Sequence, residues 1–421
     1  MTKKDTRRRR SPGEGSVFEY TTKAGATRYG IKYLVPQEDG SNRQVLRRRD
    51  EHGNPWTTRT AANSVIREAL SKVERGEFVE PSKQTLGEFL DEWADGLRLA
   101  PSTVASYKKN IRLHIKPYLG SVPMASLSAQ KIRKVYRQLE EGGRRDHKGE
   151  LTGEPLSKRT VRYIATILRA GLQDAVESEP PRLARNPADK ADPPTPKESK
   201  APEMHPWTDD QLRRFLRWSK SASGLHTAWY VLAMTGMRRG ELLALRWRDV
   251  DLDAGSISVR RSVGIVKTKG QKPKLIEGST KTCKARVIDI DAATVALLKT
   301  HKRERGGLAL QLARDDALVF GDTEGQWRHP DRFSRTFKDQ LRRCDKELTK
   351  DSVQAPEEIK LHDLRHTHAT ILLRAGVHPK IVSERLGHSS ISVTLDIYSH
   401  VLPTIQREAV AKLAAIMDGT G

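Results

Sequence analysis

The chain has 421 residues, more than one ordinary hydrophobic core organises, so two or three domains are expected. Its formal net charge of +23 points to a polyanionic partner, nucleic acid first, while an aromatic content of only 5% argues against a single-strand binder built on stacking platforms. Two cysteines without a CxxC pair, Cys283 and Cys344, suggest neither a cysteine zinc site nor a disulfide framework and suit a reducing cytoplasm; no apolar run reaches the roughly 18 residues of a membrane helix, and the basic start lacks the apolar stretch of a secretory signal.

In chain order, residues 1–14 are basic and Pro/Gly-punctuated and read as disordered. Three short β-rich runs follow, starting at Gly15, Thr27 and Arg43 and separated by Lys23-Ala-Gly and Glu38-Asp-Gly turn signals. Ala61, Val65, Ala69 and Val73 then recur at helical spacing over 60–74. Residues 76–84 read as a linker. From Thr85 to about Glu179 the pattern is helical. Leu86, Phe89, Leu90 and Trp93 share one face, Ser102, Ser128 and Ser157 stand at N-cap positions, and Gly142 to Pro155 is a charged loop. The proline-rich stretch 181–205 predicts a semi-extended linker and the clearest domain boundary. Thr208-Asp-Asp-Gln then opens a helix as a capping box.

The chemistry concentrates in the last half. Thr235-Gly236 ends an apolar helix, and Arg238 and Arg239 follow in the turn before Glu241. Taken alone, this is a helix corner with a solvated arginine. A turn arginine can also present its planar fork to two phosphate oxygens. Ser256 to Arg260 and Arg286 to Ile290 alternate as strands around a lysine-rich segment that includes Lys281 and Lys284. His362 and Arg365 stand three apart, on one face of a predicted helix. His362 and His366 are four apart, a spacing a zinc pair would use, but no HExxH arrangement accompanies them, and no metal site is expected. Gly387 ends a further amphipathic stretch just before His388, and Tyr398 lies in an apolar helical run. His388 alone fits a capping role, and Tyr398 alone fits a core position.

Thr235-Gly-Met-Arg-Arg-Gly-Glu-Leu, Leu361-His-Asp-Leu-Arg-His-Thr-His, Leu386-Gly-His and Asp396-Ile-Tyr, in this order, resemble the tyrosine recombinases of the phage integrase family. The resemblance is close over 206–401 and looser before it. It implies a multidomain, mainly α protein with small β-sheets. Residues 1–75 would be an arm-type DNA-binding module made of a three-stranded sheet and a helix. Residues 84–180 would be a helical core-binding domain, with Lys108, Lys109, Arg112, Lys158, Arg159 and Arg162 on phosphates. Residues 206–421 would be a mixed α+β catalytic domain.

The family's set of site residues maps onto Arg238, Lys281, His362, Arg365, His388 and the nucleophile Tyr398, with Lys284 as the rival to Lys281 for general acid. The implied activity is site-specific recombination by the integrase of a phage or integrative element, cutting and rejoining DNA through a 3′-phosphotyrosine, without metal, cofactor or ATP. The alternatives are a transposon integrase, a type IB topoisomerase-like enzyme and a catalytically silent DNA-binding regulator. The implied partners are double-stranded DNA with core-type and arm-type sites, three further copies of the chain in a homotetramer, an excisionase or other directionality factor, and a host DNA-bending protein. The implied setting is the bacterial cytoplasm and nucleoid.

Overall fold

The computed structural model describes residues 15–36, 41–50, 54–74, 83–146, 148–200, 205–268, 270–279, 285–399, 410, 413–414 and 416–418, the side chains of 72, 74 and 396–399 excepted. The first fourteen residues, most of the 76–84 segment, and Lys281 and Lys284 lie outside this set. The chain divides into two compact units, residues 1–201 and 202–421. Among the described residues no helix is long and apolar enough to cross a membrane.

The first unit begins with an antiparallel sheet of β1 (Ser16–Thr21), β2 (Thr27–Pro36) and β3 (Asn42–Arg47), in that order. Alternation places Ile31, Tyr33 and Val35 of β2 on one face, where α1 (Arg59–Glu74) covers them. The helix meets the sheet through Ala62 and Ile66, with Val65, Ala69 and Val73 at the margin; Ala61, expected on the inner face, is exposed.

Helices α2 (Leu86–Gly96), α3 (Pro101–Asn110), α4 (Lys116–Leu119), α5 (Ala129–Gly142) and α6 (Lys158–Glu177) follow, with α3 running into α4 through a stretch of π-helix over Ile111–Ile115. Thr85 and Glu88 form a reciprocal capping box, and Ser128 and Ser157 cap α5 and α6. Ser102 does not cap α3: Ala100 holds that position, and Pro101 starts the helix, where its missing N–H costs nothing. The apolar stripes close on Leu90, Ile115, Ile132, Ile164 and Leu168. The proline-rich stretch is not a free tether. Leu183, Ala188 and Ala191 are buried in this helical core. Arg133 and Arg162 donate to the Lys190 and Pro194 carbonyls, and Lys158 pairs with Glu198 at 2.7 Å. Apolar side chains and outlying carbonyls thus hold the segment on the helices as far as residue 200.

The second unit opens with α7 (Asp209–Ala222) behind its Thr208–Gln211 capping box, followed by α8 (His226–Thr235) and the short α9 (Arg239–Leu243). Strands β4 (Val250–Asp251), β5 (Ser256–Val259) and β8 (Arg286–Asp289) form one antiparallel sheet, and β6 (Arg261–Val266) and β7 (Lys274–Ser279) form a hairpin. Helices α10 (Ala292–Leu308), α11 (Pro330–Lys350), α12 (Asp363–Arg374), α13 (Pro379–Leu386) and α14 (Ile391–Ser399) complete it. Trp207, Phe215, Trp229, Trp247 and Phe337 fill the core. Gly240 allows α9 to lie directly on the hairpin: a Cβ there would stand 2.5 Å from Ser262 Oγ and 2.6 Å from the Val263 carbonyl.

Candidate active site

Two left-handed glycines shape the site. Gly236 ends α8 at φ +63°, and Gly387 ends α13 at φ +65°. Only glycine takes this conformation without strain, and each turn releases the chain into a residue of the expected site. After Gly236, Arg238 becomes the N-cap of α9, and after Gly387 comes His388. His362 is the N-cap of α12, and Arg365 sits in its first turn.

Three consecutive carbonyls at the end of α13 collect three arginines. The Arg385 carbonyl accepts from Arg286 Nε at 2.9 Å, the Leu386 carbonyl from Arg365 Nη2 at 2.7 Å, and the Gly387 carbonyl from Arg238 Nη2 at 3.0 Å. The last carbonyls of a helix have no intrahelical donor and carry partial negative charge, so guanidinium groups are favourable partners. Arg365 also donates through Nη1 to the Gly236 carbonyl at 2.8 Å, which ties the two glycine turns together.

Glu241, 2% exposed, sits between two of these arginines. Its Oε1 accepts from Arg238 Nη1 at 2.9 Å and from Arg286 Nη1 at 3.2 Å. Its Oε2 accepts from the Arg238 backbone N–H at 2.9 Å and from Arg286 Nη2 at 2.7 Å. Burial pushes this carboxyl up, but the hydrogen bonds and charge of Arg286, reinforced by Arg238, more than offset it and hold the group below the usual carboxylate range. Arg365 is pushed down to about 9 by burial and then by the Arg238 charge, so it remains a cation at neutral pH.

The histidines answer to the same field. Burial, then the neighbouring His366 and the arginines, pushes His362 down to about 4. His388 falls to about 4 through burial, Arg365 and Arg238. Both are neutral imidazoles at pH 7. His388 Nδ1 lies 2.8 Å from the Thr394 hydroxyl, which fixes the ring. His366 stands edge-on to His362, ring centroids 5.2 Å apart, and its buried Nδ1 has no partner among the described residues. His368 is structural: Nδ1 meets the Ala233 carbonyl at 2.9 Å, and Nε2 accepts from Arg385 Nε at 3.2 Å. Arg239 turns the other way, toward the Pro330 carbonyl and Ser334 Oγ on α11.

Arg238, His362, Arg365 and His388 therefore come together from three helix ends, the starts of α9 and α12 and the end of α13. Tyr398 lies on α14, which packs against α12 and α13; its side chain, like all of Lys281 and Lys284, falls outside the described residues. Among the described residues no three His, Cys, Asp or Glu side chains gather as metal ligands would.

The Phage integrase family model matches residues 207–404, and a Phage integrase, N-terminal SAM-like domain model matches 85–139. The chain is 30% identical over 320 residues to the ICEBs1 integrase of Bacillus subtilis (strain 168), covering 74% of this chain and 77% of that protein. The chain belongs to the phage integrase family of tyrosine recombinases. It is a tyrosine-type site-specific recombinase.

The recombinase is also 28% identical over 412 residues to the tyrosine recombinase XerC-like protein of Caldanaerobacter subterraneus subsp. tengcongensis, covering 93% of this chain and 97% of that one. Its fold matches that of the Tn1549 transposon integrase in complex with transposon right end DNA, with a TM-score of 0.62 at 21% identity over 79% of this chain and 100% of that one.

Sequence reasoning overlooked Arg286 in this recombinase, reading it only as the start of a strand. The signal was present as a basic residue closing the lysine-rich segment, but nothing local says that it reaches Glu241. Thr394 was not singled out either; it is fully buried, with its hydroxyl against His388. On the helical core, Lys108 and Lys158 are paired with Asp95 and Glu198, and Arg162 with a carbonyl. As phosphate contacts these three would have to exchange partners.

Proposed function

We propose that this site-specific recombinase cuts and rejoins duplex DNA by seating the scissile phosphate between Arg238 and Arg365 and attacking it with Tyr398. The observation that carries the reading is the convergence of two guanidinium groups and two neutral imidazoles, on the glycine turns at 236 and 387. A phosphodiester anion repels a nucleophile. Two arginines offset that charge and stabilise the extra charge of the pentacoordinate transition state.

The neutral His362 imidazole can accept the phenol proton as Tyr398 Oη bonds to phosphorus. His388, with the Thr394 hydroxyl donating to Nδ1, keeps its proton on Nε2 and directs that N–H as a hydrogen bond to a non-bridging oxygen. The bond from phosphorus to the 5′-oxygen breaks, and Lys281 supplies the proton to that oxygen. The products are a 3′-phosphotyrosine and a 5′-hydroxyl. The 5′-hydroxyl of a partner strand then attacks the phosphotyrosine, and the phenol leaves with its proton restored. The covalent bond stores the phosphodiester energy, so neither ATP nor a metal enters the scheme.

One Tyr398 per chain cuts one strand, and two duplexes present four strands. A homotetramer on paired sites follows. Residues 84–180, with the stretch to 200 packed on them, form the core-binding domain. The sheet module, residues 1–75, grips a second, arm-type site, and a directionality factor and a DNA-bending protein would act through such sites.

The test is a nicked suicide duplex carrying the core site, which traps the covalent complex. Tyr398→Phe retains the ring and is expected to bind the duplex and form no adduct. An adduct with the phenylalanine variant at the wild-type rate would place the nucleophile elsewhere. Paired-site recombination distinguishes strand exchange from relaxation of a single duplex.

A further inference from the structure

We propose that Arg286 is a positioning residue for strand cleavage: it neutralises Glu241, so that this carboxylate can orient Arg238 without cancelling the charge Arg238 brings to the phosphate. The assignment rests on Arg238 being a phosphate ligand.

The geometry assigns different jobs to the three arginines. Arg286 spends both terminal nitrogens on Glu241, at 3.2 and 2.7 Å, and its Nε on the Arg385 carbonyl at 2.9 Å. Its donors are turned into the protein, and its side chain is only 10% exposed. Arg238 shares the same carboxylate, but its side chain is 23% exposed, more than twice that of Arg286. Glu241 also receives the Arg238 backbone N–H, and thereby fixes the turn from which the side chain springs.

The charge count explains why a second cation is needed. Arg238, Arg286 and Arg365 contribute three positive charges and Glu241 one negative, so the cluster carries +2 while its histidines are neutral. Without Arg286, a buried carboxylate, 1% exposed, would have Arg238 as its sole ion-pair partner among the described residues. The pair would then present little net charge to an incoming phosphate. Arg286 also stands at the start of β8, directly after the segment carrying Lys281, and its aliphatic part closes over Gly387, where a Cβ would lie 3.0 Å from its Cδ. It thus joins the strand, the carboxylate and the turn before His388.

A double-mutant comparison on the full chain tests this. The probe is a nicked suicide duplex carrying the core sequence of the element's own junctions, with single-turnover cleavage and duplex affinity read separately. R286Q is expected to slow cleavage about 10- to 100-fold, less than the loss of a direct oxyanion donor, with affinity within about twofold. E241Q/R286Q removes both charges, keeps an acceptor for Arg238, and is expected to regain at least about tenfold over R286Q. A merely structural role predicts the opposite, since the second substitution would deepen the damage. Cleavage by R286Q at the wild-type rate, or a double variant no faster than R286Q, overturns the assignment.

Where R286Q leaves too little folded protein, R286K decides. Cleavage within about tenfold of the wild-type rate at unchanged affinity supports the proposal, because lysine keeps the charge that offsets Glu241; loss of cleavage beyond that, with or without loss of affinity, overturns it. R238K run alongside separates the two readings. Normal cleavage by R238K removes the clamp itself, whereas a crippled R238K beside a normal R286Q removes only the role of Arg286.

Discussion

Replacing Arg365 with lysine tests whether burial and fork geometry, rather than charge alone, define the clamp. Arg365 is 3% exposed and satisfies two carbonyls, Gly236 at 2.8 Å and Leu386 at 2.7 Å. A lysine ammonium reaches one of them at most. The other is left buried without a donor, which costs about 1–3 kcal/mol. An ammonium is also more strongly hydrated than a guanidinium, which adds to the cost in the same direction. Burial and the Arg238 charge, which push Arg365 down to about 9, act on a lysine too, and its ordinary value starts lower. The variant therefore loses part of its charge at the working pH as well as its fork.

The expected result is a urea midpoint for the second unit lowered by roughly 0.5–1 M, read from the fluorescence of Trp207, Trp229 and Trp247 in its core. Single-turnover cleavage is expected to fall at least ~100-fold. Arg238→Lys is the contrast, because its side chain is 23% exposed. It is expected to lose cleavage with its midpoint almost unchanged. An Arg365→Lys protein with wild-type midpoint and cleavage, or equal midpoint shifts in the two variants, would refute the argument.

Gly236→Ala is expected to destabilise the second unit by about 2–5 kcal/mol: a left-handed residue costs ~1–2 kcal/mol and overpacking ~1–3 kcal/mol. The new Cβ would stand 2.4 Å from Leu386 Cδ2 and 2.8 Å from His368 Cδ2, and a denaturation midpoint checks the effect. Acid is expected to act in a defined window. His362, His368 and His388 fall from an ordinary 6.5 to about 4 on folding, burial being the largest cause for each, so below pH 6.5 the unfolded chain takes up protons first. Stability is then level above pH 6.5 and declines from there toward pH 4, while Glu241, held below the ordinary 4.5, weakens the fold only beneath that value. A midpoint that does not move between pH 7.5 and 5 would contradict the burial of these rings. Removal of the sheet module by starting the chain near Gln84 is expected to leave core-site cleavage intact and abolish arm-site binding. Arm-site affinity of the full chain should fall steeply with salt, since bound phosphates release counterions; arm binding by the shortened protein would relocate that site.

The sequence by itself determined what short-range physics controls. Ser128, Ser157 and Thr208 marked helix starts because a side-chain oxygen meets an N–H only two or three residues away. The two glycine turns and the ordered motifs around Arg238, His362, Arg365, His388 and Tyr398 were readable for the same reason, and with them the family. Where several solutions satisfied the local pattern, only the tertiary structure decided. The helical period over 60–74 is satisfied equally by Ala61 or by Ala62 and Ile66 facing inward, and the sheet selects the latter pair. The proline-rich stretch reads as a tether until Leu183, Ala188 and Ala191 find apolar pockets on helices far earlier in the chain. Arg286 meets Glu241 across 45 residues, and Arg238 meets the Gly387 carbonyl across 149. No propensity encodes such pairs. They exist because a buried carboxylate and the bare carbonyls of a helix end must find donors, and the packing of α9, β8, α12 and α13 determines which arginines are near enough to serve.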